Sequence, residues 1–171
     1  MKYEIKNLIT LPKNQNCTIL LYEEKLQILF TCLTTNIIKL WKITKSKSNE
    51  KKEEIKCIGI LQGQKNKISS ICFCVISQKF HLATMAKEGE IIFWNLENKE
   101  KTKHIKFPFS LKNIYYSGNE NIFFLIKKSN GFLILNENAN NNLENFKGFC
   151  NLNKLDNGKY EINKGFINNF H

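Results

Sequence analysis

The stretch LQGQKNKISSICFCVISQKFHLATMAKEGEIIFWN, residues 61–95, decides the fold. Its apolar residues come in short runs, at 68–75, 80–85 and 90–95, with polar punctuation between them. The runs are too short for helices and rich in β-branched and aromatic residues, so they read as strands. Gln62, Gly63, Gln64, Lys65, Asn66 and Lys67 form a turn ahead of the first run, and Ala86-Lys87-Glu88-Gly89 turns the chain into the last. The connections inside the stretch are of hairpin length.

The same rhythm extends in both directions. Upstream, strands are expected at 19–22, 26–33 and 37–41, the last ending in Trp41, with a further strand at 57–61. Residues 44–56, crowded with Lys and Glu, read as a charged, solvated loop. Downstream, strands are expected at 104–107, where Pro108 ends the run because proline cannot donate to a ladder, and at 111–116, 121–126 and 132–135. Lys128, Ser129, Asn130 and Gly131 form the turn before the last of these, and Asn-Gly tolerates the positive φ that hairpins favour. The Asn-rich remainder offers two weaker strands at 146–150 and 159–162. Three units align: 36–41, 90–94 and 131–135. Trp41 and Trp94 stand 53 residues apart, and Trp94 and Leu135 41 apart. A period near 40–45 with four short strands per unit is the pattern of propeller blades.

The middle unit resembles a WD40 repeat. Gly63-Gln64 stands where that family usually has Gly-His, Leu82-Ala83-Thr84 is similar to its second strand, Lys87-Glu88-Gly89 occupies its Asp-Gly turn, and Trp94-Asn95 its Trp-Asp end. The resemblance implies an all-β chain of WD40-like β-propeller blades, about three to four in number and forming an incomplete or partial ring, since closed propellers typically need four to eight. Expected limits are blade 1 at about 3–60, blade 2 at 61–107, blade 3 at 108–149, and weak fourth-blade strands or a tail at 150–171. It also implies repeat positions at Trp41, Gly63, Gln64, Thr84, Glu88, Gly89, Trp94, Asn130 and Gly131. In the family, His, Ser or Thr, Asp and Trp form a buried hydrogen-bond network. With Gln64 and Glu88 replacing His and Asp, the blade is expected to depend more on apolar packing than on that network. The resemblance places partner-binding loops on one rim, here Lys65, Asn66, Lys67, Lys87, Phe109 and Lys128.

Composition narrows the function. The net charge is +11, all 26 basic residues are Lys, and Asn occurs 24 times. The lysines are dispersed, and Arg, with the planar fork suited to bases and phosphates, is missing, so nucleic-acid binding is expected to be at most nonspecific. Cys17, Cys32, Cys57, Cys72, Cys74 and Cys150 form no Cys-x-x-Cys pair, and reduced thiols in an intracellular protein, cytoplasmic or nuclear, are the expectation. No apolar run is long enough for a membrane span. His81, His104 and His171 have no ligand spacing, and no nucleophile motif or phosphate loop occurs, so no catalysis, metal, cofactor or small-molecule substrate is expected. The function implied is a non-catalytic scaffold or adaptor with protein partners, their acidic surfaces, or further propeller blades. The alternatives are a basic subunit of a ribonucleoprotein or chromatin-associated complex, and a truncated or degenerate propeller paralogue without independent activity.

Overall fold

A computed structural model describes residues 9, 15–45, 53–119, 121–128, 131–136, 146–154 and 160–165. Among these there are thirteen strands and no helix: β1 (Cys17–Glu23), β2 (Ile28–Leu33), β3 (Ile38–Lys45), β4 (Glu53–Leu61), β5 (Ile68–Ile76), β6 (Lys79–Ala86), β7 (Glu90–Asn95), β8 (Lys101–Lys106), β9 (Leu111–Ser117), β10 (Ile122–Lys127), β11 (Phe132–Asn136), β12 (Phe146–Lys154) and β13 (Tyr160–Gly165). The chain divides into two compact units, Met1–Lys65 and Asn66–His171. The first holds an antiparallel meander, β1-β2-β3-β4. The second holds two, β5-β6-β7-β8 and β9-β10-β11-β12-β13.

Two expected boundaries move. The charged loop at 44–56 is shorter than the composition implied, because β3 runs through Lys45 and β4 begins at Glu53, with Thr44 opposite Glu54. Ladder bonds join backbone to backbone and need no apolar side chain, so a hairpin continues where Thr44 and Glu54 are both exposed. Residues 46–52 lie outside the described residues. At the other end, the strands read as a fourth blade or tail join the third sheet: β12 pairs with β11, Phe132 opposite Cys150, and β13 pairs with β12. The Asn-rich connection hides this continuity, since its length gives no sign of which strand the chain returns to.

Successive residues of a strand point to opposite faces, so the register assigns every side chain to a face. We call the face carrying Thr84 and Trp94 the front. In sheet β5–β8 its rows are Ile71–Thr84–Ile92–His104 and Phe73–Leu82–Trp94–Lys101, and the row Cys72–Ala83–Phe93–Lys103 lies on the back. In sheet β9–β13 the front rows include Ile114–Leu125–Leu133 and Tyr116–Phe123–Leu135.

The core of the second unit lies where the front of β9–β13 seats on the back of β5–β8. Cys74, Ala83, Met85, Ile91 and Phe93 from one sheet close against Ile114, Phe123, Leu125, Leu133 and Leu135 from the other. Phe93 and Phe123 meet edge to face with centroids 5.4 Å apart. Burying each such ring stabilises by about 1.5–3 kcal/mol, and the edge-to-face geometry adds about 0.5–1.5 kcal/mol. Polar bonds register the edge: the Tyr116 hydroxyl donates to the Val75 carbonyl at 2.7 Å, and the Ser70 hydroxyl to the Asn113 side-chain oxygen.

Cys17, Cys32, Cys57, Cys72 and Cys74 are free thiols. Cys17 and Cys57 are exposed, while Cys32 and Cys74 are buried. Burial pushes the Cys32 thiol up and carries Cys72, packed beside the core, from 9.0 to about 12. Because Cys72 keeps its proton in the folded chain but ionises near 9.0 in the unfolded one, its contribution to stability is intact below pH 9.0 and declines as pH rises toward 12. A native-state pulse of iodoacetamide near pH 8 is expected to modify Cys17 and Cys57 and to spare Cys32, Cys72 and Cys74 until denaturant is added. Peptide mass spectrometry reads this directly, and rapid native labelling of Cys74 would contradict the packing.

Candidate interaction rim

The rim of the second unit is assembled from three connections. The turn between β6 and β7 is closed by Gly89, whose φ is +86° and whose amide donates to the Ala86 carbonyl at 3.1 Å. Glycine is required there twice over: the left-handed backbone is costly for an L side chain, and a Cβ would collide with the Phe109 carbonyl oxygen and lie 2.8 Å from that of Phe107. The connection from β8 to β9 is laced to this turn, because Phe107 N donates to Gly89 O and Leu111 N to Lys87 O, each at 2.9 Å. The turn after β10 joins in, Lys128 N donating to Ser110 O at 3.1 Å. Phe107 is buried and stacks on Phe109, with centroids 5.4 Å apart, and the Lys127 ammonium sits 4.7 Å over the Phe109 ring.

This brings Lys87, Phe109 and Lys128 into one backbone-linked patch, in which Lys87, Pro108, Ser110 and Lys128 are exposed and Phe109 is half-buried. Asn66 is tied to the start of β7, its side-chain amide donating to Glu90 Oε2 at 3.1 Å, with exposed Lys67 beside it in the chain. Glu90 is buried and its other oxygen lies 3.0 Å from His104 Nε2. The patch is predominantly basic, with Glu88 its exposed acid. Lys65 is exposed and belongs to the first unit, where its carbonyl accepts a 3.3 Å bond from Asn36 Nδ2. Asn130 lies outside the described residues.

The repeat positions form part of the expected network. Trp94 Nε1 donates to Thr84 Oγ1 at 3.0 Å, and Thr84 Oγ1 to the Ile92 carbonyl at 3.3 Å, all of it buried. The first unit repeats the couple: Trp41 Nε1 donates to Thr31 Oγ1 at 2.9 Å, again across ten residues of sequence. Sequence reasoning missed Thr31, though its spacing to Trp41 matches that of Thr84 to Trp94. In the third sheet the corresponding positions are Leu125 and Leu135, both fully buried. The Asp-like position differs from expectation, because Glu88 is exposed and the buried carboxylate is Glu90. Strand parity explains it: Glu90 shares the front face with Ile92 and Trp94, whereas Glu88 lies in the turn. Gln64 is buried, Gly63 has φ +116° and Gly131 φ +147°. Lys101 lies over the Trp94 ring at 5.4 Å and Lys39 over Trp41 at 5.9 Å. Among the described residues, no group of three or more His, Cys, Asp or Glu side chains is placed to hold a metal ion.

With Trp–Thr couples in two of them and a front-on-back seat within the second unit, these sheets have the fold of WD40 β-propeller blades. Solved propellers share it. The WD40 domain of Toxoplasma gondii coronin is 23% identical, with TM-score 0.52 over 65% of this chain and 28% of that one. The β-propeller domain of Cps50 (Swd1) from Myceliophthora thermophila is 12% identical, with TM-score 0.53 over 74% of this chain and 38% of that one. An autoinhibited apo Polycomb Repressive Complex 2, whose humanised counterpart is from Chaetomium thermophilum, contains a chain 9% identical, with TM-score 0.56 over 66% of this chain and 25% of that one. The chain thus spans between a quarter and two fifths of these structures. No family model matches the sequence, and neither does any curated protein.

Thr84→Val is expected to strand the buried Trp94 indole N–H and lower stability by about 1–3 kcal/mol. Gly89→Ala, which meets both an unfavourable φ and a backbone clash, is expected to cost at least about 1–3 kcal/mol. Urea unfolding followed by tryptophan fluorescence measures both. A Gly89→Ala chain as stable as the parent would show that the 107–109 connection does not lie against this turn.

Proposed function

We propose that this chain is a non-catalytic interaction scaffold, a subunit of a protein complex that recognises acidic surfaces through the basic rim around Lys87, Phe109 and Lys128. The observation that carries the reading is the backbone lacing of the three rim connections, which holds exposed lysines and a half-buried aromatic ring on a rigid support. Rigid placement reduces the ordering cost of binding, and an aromatic side chain set inside a polar rim is a kind of anchor that interfaces enrich. Lys67 and Asn66 extend the patch through the bond to Glu90. The fold supports the reading, since Polycomb Repressive Complex 2, one of the structures it is similar to, is itself a protein complex. A cytoplasmic or nuclear location belongs to the same proposal.

Rim charges act mainly on association rate and salt dependence. Lys67→Glu combined with Lys87→Glu is expected to weaken binding of a poly-glutamate peptide about tenfold at low salt. The difference is expected to shrink as screening shortens the reach of charge. Surface plasmon resonance across a salt series gives the result, and unchanged affinity in the double variant would sink the rim. Phe109→Ala separates anchor from charge, with loss of affinity that persists at high salt as its expected signature.

A further inference from the structure

Three of the rim connections are bonded in series through one peptide. In the link from Ser110 to Leu111, the carbonyl accepts from Lys128 N at 3.1 Å and the N–H donates to Lys87 O at 2.9 Å. A trans peptide aims these two groups in opposite directions. Lys87 and Lys128 therefore flank it as outer strands flank a middle one, with their backbones about 10 Å apart, two strand spacings. Phe109, half-buried, immediately precedes this peptide; its ring stacks on Phe107 and lies under the Lys127 ammonium. The rim thus has an order across it: exposed lysine, aromatic ring, exposed lysine. Glu88, also exposed, stands beside Lys87 in the chain.

Given the rim function proposed above, we infer that its partner is an extended peptide segment with an apolar residue between two acids at every second position, acid-x-apolar-x-acid. Residues i, i+2 and i+4 of an extended segment share one face, and i and i+4 lie about 13 Å apart. The flexible four-carbon stems of Lys87 and Lys128 take up the difference from the interval between their backbones. The two carboxylates meet the two lysines, and the apolar side chain meets Phe109. A helix, rising about 1.5 Å per residue, needs acids about seven positions apart to cover the same interval, so an extended segment is the shorter occupant. Charge complementarity also sets the gaps. Glu88 repels an acid adjacent to the one that Lys87 takes, so a spaced pair of acids fits the rim better than an unbroken acidic run.

Two capped peptides of one composition separate order from charge: Ser-Glu-Gly-Phe-Gly-Glu-Ser and its permutation Phe-Ser-Gly-Ser-Gly-Glu-Glu. In amide chemical-shift titrations of the full chain at low salt, the ordered peptide is expected to bind about tenfold more tightly, the worth of one well-placed aromatic contact. Gly89, Ser110 and Lys128 are expected to carry the shifts. Phe109→Ala is expected to bring the two peptides to one affinity, and Phe109→Leu, which keeps an apolar side chain at that place, to retain most of the difference; circular dichroism checks that both variants fold. Glu88→Gln is expected to narrow the preference for the ordered peptide over hepta-glutamate. Equal affinity of wild type for the ordered and permuted peptides overturns the inferred order and leaves the basic rim in place. So do shifts confined to residues away from these connections. A chain that binds neither peptide, nor poly-glutamate, loses the rim function and the order with it.

Discussion

The edge-to-face meeting of Phe93 and Phe123 marks the constraint that organises the second unit. An antiparallel meander of four short strands has two faces, and a sheet with apolar side chains on both cannot satisfy itself. β5–β8 carries Thr84, Ile92 and Trp94 on one face and Ala83, Met85 and Phe93 on the other, and β6 and β7 are buried throughout all but two residues. Each face must be lent to a neighbour. Front-on-back packing follows, and with it the placement of the connection 107–110 and of Lys128, whose backbone bonds form the rim. The rim is therefore a by-product of core packing: Phe107, buried in the hydrophobic cluster, is one residue from exposed Pro108 and two from Phe109.

Within sheets, a second layer of order comes from the Trp–Thr bonds. An indole taken out of water must place its N–H, and a threonine ten residues earlier on the adjacent strand receives it from half-buried Trp41 in β1–β4 and from buried Trp94 in β5–β8. The bond fixes the orientation of the ring and so gives the front face a fixed relief. Glu90 adds a polar tie at the rim end of the same face, holding Asn66 on one oxygen and His104 on the other.

Strand identities were legible because alternating and clustered apolar residues report burial, and burial is what most of these strands do. The ends were not. Lys45 and Glu53 lie in a ladder held by backbone bonds, to which composition is blind, and β12 and β13 belong to the third sheet through a pairing that the intervening Asn-rich segment does not announce. That Lys87, Phe109 and Lys128 lie in connections between strands was legible from turn positions in the repeat. The choice of Glu90 over Glu88 required strand parity, since two acids two residues apart are indistinguishable by spacing to the turn alone. Thr31 was open to the same logic, as the ten-residue interval from Thr84 to Trp94 recurs intact, but its strand offered no motif to draw attention to it.

Leu125 and Leu135 occupy the places that Thr and Trp hold in the other two sheets. A hydrogen-bonded couple admits few replacements, because altering either member leaves a buried polar group stranded. An aliphatic pair admits many, since hydrophobic swaps of similar volume are tolerated. The third sheet is thus free to drift in sequence while keeping its shape. It keeps the ten-residue interval of its siblings, from Leu125 to Leu135, without their Thr and Trp, as expected of a repeat held by packing that does not depend on the identity of any one side chain.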